Sequence, residues 1–203
     1  MKYVWRKLTP QQREELRERR LQLNHPPNSI PHKFDSRTNR YMITAACFEH
    51  RAIIGHSPER MSEFERDLIQ TLKELCPDVS AWSVLPNHYH AIIETTDLAV
   101  LLKKLGQLHG RTSFKWNGEE NQRGRKVWCN AVETAMKSER HFFASLNYLL
   151  NNPVHHGYAK KWADWPYSNA EEYIAKRGRE EAIRIWKTYP IKEYGKEWDT
   201  PVM

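Results

Sequence analysis

Cysteine is scarce in this 203-residue chain: Cys47, Cys76 and Cys129 form an odd, widely spaced set. No two have the paired spacing of a zinc site or a disulfide framework, so all three are expected to be reduced and chemically quiet. No apolar run approaches the roughly 18 residues that a membrane span needs, and no membrane partner is expected. The N-terminal Met1-Lys2-Tyr3-Val4-Trp5-Arg6-Lys7 lacks the apolar core and small-residue cleavage site of a secretory signal, so the expected location is the cytoplasm. No internal repeat is visible. With a mean hydropathy of -0.82 and 28% charged residues, the chain reads as soluble and globular. Its length suits one compact domain with extensions, not two domains with large separate cores.

Positive charge is what the chain has in excess. The net charge is +7, and residues 1–40 alone hold ten Lys or Arg against four acids. Such an arm gains from counterion release on nucleic-acid phosphates, although a solvated helix would share the composition. A second basic stretch runs from Lys103 to Lys126, and the chain has eight Trp, whose rings can stack on unpaired bases. The candidate nucleic-acid contacts are Arg6, Lys7, Arg17, Arg19, Arg20, Lys103, Lys104, Arg111, Lys115, Arg123, Arg125 and Lys126. Charge alone leaves RNA, DNA and an anionic membrane surface open.

A short helical pattern spans Pro10 to Leu23, and the Pro-rich stretch 24–33 reads as an extended connector. Tyr41 to Phe48 makes a first strand. Ser57 caps a helix with Pro58 in its first position, and Met61, Phe64, Leu68, Ile69, Leu72 and Leu75 recur at helical spacing until Pro77. Val79 to Leu85 and His88 to Thr95 form a hairpin about Pro86-Asn87. Asp97 caps a helix carrying Leu98, Leu101, Leu102, Leu105 and Leu108, and a loop at 117–124 leads to a fourth strand at Lys126 to Val132. The order predicts an α+β, ferredoxin-like βαββαβ sheet. A further helix from Ser138 to Asn152 is expected to stop at Pro153, with another helix at Ala170 to Lys187. The expected divisions are a basic N-terminal arm and connector at 1–38, a catalytic domain at 39–155 that includes the additional helix, and an extension at 156–203.

Alternation along a strand sends His88 and His90 to one face and Tyr89 to the other. Two imidazoles then aim at one point, which suits a metal site, a zinc hydrolase included, or a hydrogen-bonded surface pair. On the following helix, Phe142, Phe143, Leu146, Leu149 and Leu150 fill an arc of about 120°, the expected core-facing stripe. Tyr148 falls on the opposite side with Asn152 at i+4, close in azimuth to His141 and Ser145. A tyrosine kept only for packing belongs in the apolar arc, and Tyr148 is outside it. If that helix lies on the histidine face, His88, His90 and the Asn152 oxygen can hold Mg²⁺ or Mn²⁺ beside a phosphate, with Tyr148 as nucleophile.

At these residues the chain resembles the REP-associated tyrosine transposases, which pair a His-hydrophobic-His motif with one tyrosine. The resemblance runs from Tyr41 to Ala170, through Trp82-Ser83-Val84-Leu85-Pro86-Asn87-His88-Tyr89-His90, Lys126-Val127-Trp128, Tyr148-Leu149-Leu150-Asn151-Asn152-Pro153-Val154 and Trp165-Pro166-Tyr167-Ser168. It implies a ferredoxin-like fold and metal-dependent cleavage and rejoining of single-stranded DNA beside small palindromic repeats that fold as hairpins, through a 5′-phosphotyrosine intermediate. It also implies roles for His88 and His90 as the metal-binding pair, Asn152 as third ligand and Tyr148 as nucleophile. The N-terminal arm and the residues beyond Ala170 are unmatched, and the oligomeric state is left open. Two rivals stay in view: a non-catalytic nucleic-acid binder on the same sheet, and a zinc hydrolase completed by His109 or His141.

Overall fold

Residues 8–22 and 38–191 are described here, from a computed structural model. The chain divides into two compact units, Met1–Lys33 and Phe34–Met203. In the first, helix α1 (Pro10–Gln22) begins at a reciprocal cap: the Gln12 N–H donates to Thr9 Oγ1 at 3.2 Å and the Thr9 N–H to Gln12 Oε1 at 2.9 Å. The Pro-rich connector lies outside the described residues.

The second unit follows the expected order: β1 (Arg40–Ala46), α2 (Pro58–Leu75), β2 (Asp78–Val84), β3 (His88–Glu94), α3 (Leu98–Glu119) and β4 (Val132–Ala135). The strands form one antiparallel sheet in the order β2-β3-β1-β4, the ferredoxin-like arrangement. Ser57 caps α2 by accepting the Arg60 N–H, and Asp97 caps α3 by accepting that of Val100. One sheet face bears Tyr41, Ile43, Ala45, Tyr89, Ala91 and Ile93 and packs on α2 and α3 around Phe64, Leu68, Leu101, Leu105 and Trp116. The other face bears Met42, Ala81 and Ile92 and packs on α4 (Glu139–His155), through Leu146, Tyr148, Leu149 and Leu150. With both faces covered, β3 is buried from His88 to Ile93. No described helix is long and apolar enough to cross a membrane.

The boundaries differ from expectation in four places. β4 pairs at Val132–Ala135 instead of Lys126–Val132, because Val127 and Trp128 leave the ladder to join the core, and Trp128 keeps a single bridge to Cys47. α3 runs on to Glu119, shortening the loop expected from 117, because Trp116 and Asn117 are buried on its inner side. α4 passes through Pro153 to His155. Pro153 cannot donate to the Leu149 carbonyl, but so near the helix end the loss is one bond, and its own carbonyl accepts the Tyr158 N–H at 2.8 Å. The expected C-terminal helix breaks at Gly178 (φ 84), a left-handed position suited to glycine, into α5 (Ala170–Arg177) and α6 (Arg179–Thr188).

Residues 156–191, read from sequence as an extension, are part of the second unit. Ala170, Tyr173 and Ala182 pack on α4, and the Asn147 Nδ2 donates to the Ile185 and Tyr189 carbonyls at 3.3 and 2.8 Å. α4 is therefore buried at every position from Ser145 to Leu150 and again at Asn152. The expectation of one apolar stripe with a polar opposite side gives way: α4 is clasped between the sheet and the C-terminal helices.

Within the larger core, Tyr89, the middle residue of the histidine motif, is buried, and its hydroxyl sits 3.1 Å from His109 Nε2. His109 stacks on Trp128 at 4.3 Å, and the Trp128 Nε1 donates to Thr112 Oγ1 at 3.0 Å. Burial lowers the His109 pKa from 6.5 to about 4. The unfolded chain thus binds a proton between those values that the folded chain refuses. Stability is whole above pH 6.5 and falls as the pH drops toward 4, by about 3 kcal/mol. We expect Tm to fall across this window in the wild type and to fall less in His109→Gln; an unchanged slope would show that His109 does not titrate as a buried neutral ring.

Candidate active site

The histidine pair owes its position to register. His90 stands between Thr44 on β1 and Ser83 on β2, and His88 lies opposite Ala46, so both imidazoles share the α4 face. The turn before β3 is closed by the Leu85 N–H donating to the His88 carbonyl, the Cys47 N–H to Asn87 O and the Gly55 N–H to Pro86 O. Gly55 is required there, since a Cβ would collide with Pro86. The Asn87 side chain then works in two directions: its Nδ2 donates to the His50 carbonyl at 3.1 Å, and its Oδ1 lies 2.7 Å from His88 Nδ1. On the second ring, Thr44 Oγ1 is 2.8 Å from His90 Nδ1. Each imidazole is thereby oriented through its Nδ1.

α4 supplies the rest. Tyr148 and Asn152, one turn apart, lie against the two histidines in order: the Tyr148 ring is 5.4 Å from the His90 ring, edge to face, and Asn152 Oδ1 is 2.9 Å from His88 Nε2. The His88 and His90 rings are 5.0 Å apart. All four residues are nearly excluded from solvent, at 0 to 3% exposure. A neutral imidazole has one N–H. If it donates from Nδ1 to Asn87, the His88 Nε2 presents a lone pair beside the Asn152 oxygen. A nitrogen and an oxygen lone pair facing each other at 2.9 Å suit a divalent cation: neighbouring ligands about 2.1 Å from an octahedral ion lie about 3.0 Å apart. His88 and Asn152 thus fit such an ion, and the His90 ring lies 5.0 Å from that of His88 on the same sheet face.

Two further expectations resolve against the geometry. His109 lies on the opposite side of the sheet, bound to Tyr89, and cannot complete a site with His88 and His90. His141 precedes Tyr148 by seven residues on α4, where its Nδ1 accepts the Lys137 N–H at 3.5 Å. Among the described residues no group of three or more His, Cys, Asp or Glu is placed to hold a metal, so the zinc-hydrolase arrangement has no third ligand there. A binder that stacks bases on an open sheet face is disfavoured as well, since helices cover both faces.

The sequence did not single out Thr44, Asn87 or His156. Thr44 could have been found only from strand register, and Asn87 reads as an ordinary turn residue. His156, half-buried at the end of α4, stands at i+4 from Asn152, with its ring 5.0 Å from that of His88; helical continuation through Pro153 was the missing signal.

The basic candidates scatter. Arg6 and Lys7 lie outside the described residues. Arg17, Arg19 and Arg20 fall on α1, where Arg17 pairs with Glu14 at 3.0 Å. Lys103, Lys104 and Arg111 are exposed on α3. Lys115 holds Glu63, and Arg125 holds Glu120 at 2.7 Å; Glu120 also binds the buried Arg60, and these cations depress its pKa to about 2. Arg123 and Lys126 sit over the Phe114 and Phe48 rings at 4.3 and 4.9 Å.

A ferredoxin-like sheet that buries a histidine pair against a helix bearing one tyrosine is the arrangement that the motif resemblance implied. No protein-family model matches the chain. It is 26% identical over 105 residues to the REP-associated tyrosine transposase of Escherichia coli (strain K12), a match spanning 49% of this chain and 58% of that relative. A solved structure of a REP-associated tyrosine transposase bound to a REP hairpin superposes with a TM-score of 0.56 at 18% identity, covering 73% of this chain and 86% of that one. The resemblance to these transposases and the α+β fold both hold.

The two-way Asn87 bridge carries its own prediction. Asn87→Ala removes the hydrogen bonds that Asn87 makes to His88 Nδ1 and the His50 carbonyl, so we expect a loss of about 1–3 kcal/mol in urea unfolding. Mn²⁺ affinity, read by isothermal titration, should fall about 10- to 100-fold. Unchanged Mn²⁺ affinity would show that Asn87 does not position a ligand.

Proposed function

We propose that this chain is a metal-dependent, cytoplasmic transposase-type enzyme that cleaves and rejoins single-stranded DNA at repeat hairpins, with Tyr148 as nucleophile. The observation that carries the reading is that one chain stacks Tyr148 and Asn152 directly on His90 and His88. The similarity to REP-associated tyrosine transposases supports it, and the choice of REP-like hairpins as substrate rests on that similarity alone.

In this reading the Tyr148 oxygen bonds to the scissile phosphorus as the bond to the 3′ oxygen breaks. The 3′ oxygen leaves as a hydroxyl, taking up a proton from solvent in place of the one the phenol gives up. The 5′-phosphate stays on Tyr148 as a phosphodiester, which preserves the bond energy for a second strand end to attack and release the tyrosine. His88, His90 and Asn152 would hold Mg²⁺ or Mn²⁺, which when bound polarises the phosphate and offsets the charge developing on its oxygens. Thr44 and Asn87 keep the imidazoles oriented. Because the four groups are nearly solvent-excluded, a phosphate reaches Tyr148 only after side chains packed around it move aside.

The test is incubation with end-labelled single-stranded hairpin DNA and Mn²⁺, followed by denaturing electrophoresis. We expect a covalent protein–DNA adduct in the wild type and none in Tyr148→Phe. His88→Ala and His90→Ala should abolish the adduct while hairpin binding changes less than about threefold, since surface cations supply most of the affinity. Hairpin binding without any adduct in the wild type would leave a non-catalytic binder as the better reading, and cleavage that survives Tyr148→Phe would refute the assigned nucleophile.

A further inference from the structure

α3 turns one face fully to solvent. Val100, Lys103, Lys104, Gln107, Arg111 and Phe114 are all exposed, and at 100° per residue they share an arc of about 100°. Phe114, at 72% exposure, is the most exposed large hydrophobic side chain among the described residues. A phenyl ring left in water contributes nothing to folding through burial, yet this one is held in place. The Arg123 guanidinium lies 4.3 Å from its centroid, and the Arg123 Nη1 donates to the Phe114 carbonyl at 2.7 Å. Gly118 makes room for that crossing, since a Cβ there would collide with Arg123 Nη2. At 72% exposure, a ring covered on one face by a guanidinium leaves the other face open.

The surroundings carry the matching charge. Lys126 lies over Phe48, whose N–H donates to the Val127 carbonyl at 2.6 Å. Phe48 follows the end of β1 that pairs with His88, so this second cation–ring pair stands at the end of the sheet where the proposed reaction occurs. α3 runs back antiparallel to β3, tied to it by the Tyr89–His109 contact, which brings Phe114 toward the same end. The nearby acids are engaged: Arg60 holds Glu119 at 2.9 Å and Glu120 at 2.6 Å, Arg125 also holds Glu120, and Lys115 holds Glu63. What faces solvent is an aromatic ring beside Arg123 and, one helical turn earlier, Arg111, with the exposed Lys126 as a further cation over Phe48; rings and cations of this kind bind single strands through base stacking and backbone charge.

We propose that Phe114, clamped by Arg123, is a stacking platform for an unpaired base of single-stranded DNA, with Arg111 and Lys126 gripping the flanking phosphates. The inference rests on the reading of the chain as a DNA-strand transferase for its choice of DNA as the strand. The test is fluorescence anisotropy at fixed salt with three probes: one DNA hairpin carrying an unpaired extension, the same hairpin blunt-ended, and an RNA hairpin of the extended sequence. Phe114→Ala should weaken binding of the extended hairpin about tenfold, as expected for loss of one stacked base, and of the blunt hairpin less than twofold. Gly118→Ala, which pushes Arg123 off the ring, should weaken the extended hairpin in the same direction by a smaller factor. Wild-type affinity in Phe114→Ala, an equal loss on both DNA probes, or a loss seen only with RNA of the same sequence would overturn the platform, and wild-type affinity in Gly118→Ala would overturn the role of Arg123. Because the readout is binding, failure here leaves any Tyr148 adduct standing. A missing adduct beside an intact extension-specific loss would instead sink the catalytic reading alone.

Discussion

The 2.9 Å approach of Asn152 Oδ1 to His88 Nε2 is the contact on which the arrangement of this unit depends. Apolar packing of α4 on Met42, Ala81 and Ile92 brings these two atoms together, and one turn earlier on the same helix it sets Tyr148 edge to face against His90. Burying such a polar cluster between a sheet and a helix is costly unless each group finds a partner. Asn87 and Thr44 supply partners on the sheet side, and Asn147 ties the helix to the α6 region through two backbone carbonyls. The C-terminal helices are thus part of the site's scaffold, holding α4 against the histidines although they contribute no reacting group.

The two sheet faces divide the work. On one, Phe64, Tyr89, Trp116 and Trp128 interlock with ring separations of 5.2 to 6.0 Å, and α2 and α3 close a conventional apolar core. That core makes β3 rigid. Tyr89 is anchored into it, while its neighbours His88 and His90 project the other way into the polar cluster. Site geometry on one face is therefore backed by packing on the other, which is how an ångström-scale arrangement is held in place.

Much of this was legible in the sequence because period and caps are local signals. The Ser57-Pro58 start, the helical spacing from Met61 to Leu75 and the hairpin about Pro86-Asn87 led directly to the ferredoxin-like order. Alternation alone put His88 and His90 on one face, and helical azimuth alone set Tyr148 and Asn152 together. What escaped was tertiary. Trp128 reads as a strand residue and leaves the ladder because the core takes its ring; Pro153 reads as a stop and is tolerated because it falls in the last helical turn. The apolar stripe of α4 was found, but nothing local shows that α5 and α6 cover the helix as well. Nor does a charge count show that Arg125 pairs with Glu120 and Lys115 with Glu63, pairings that only the tertiary structure makes.

The central claim is that one chain supplies both the nucleophile and the metal ligands to one site. Mixing Tyr148→Phe and His88→Ala proteins, under conditions where the wild type forms the covalent DNA adduct, tests this most directly. A site completed within each chain predicts that the mixture forms none, because no molecule carries both halves. Adduct formation restored in the mixture would contradict the account, since it would require Tyr148 of one chain to act at the histidines of another.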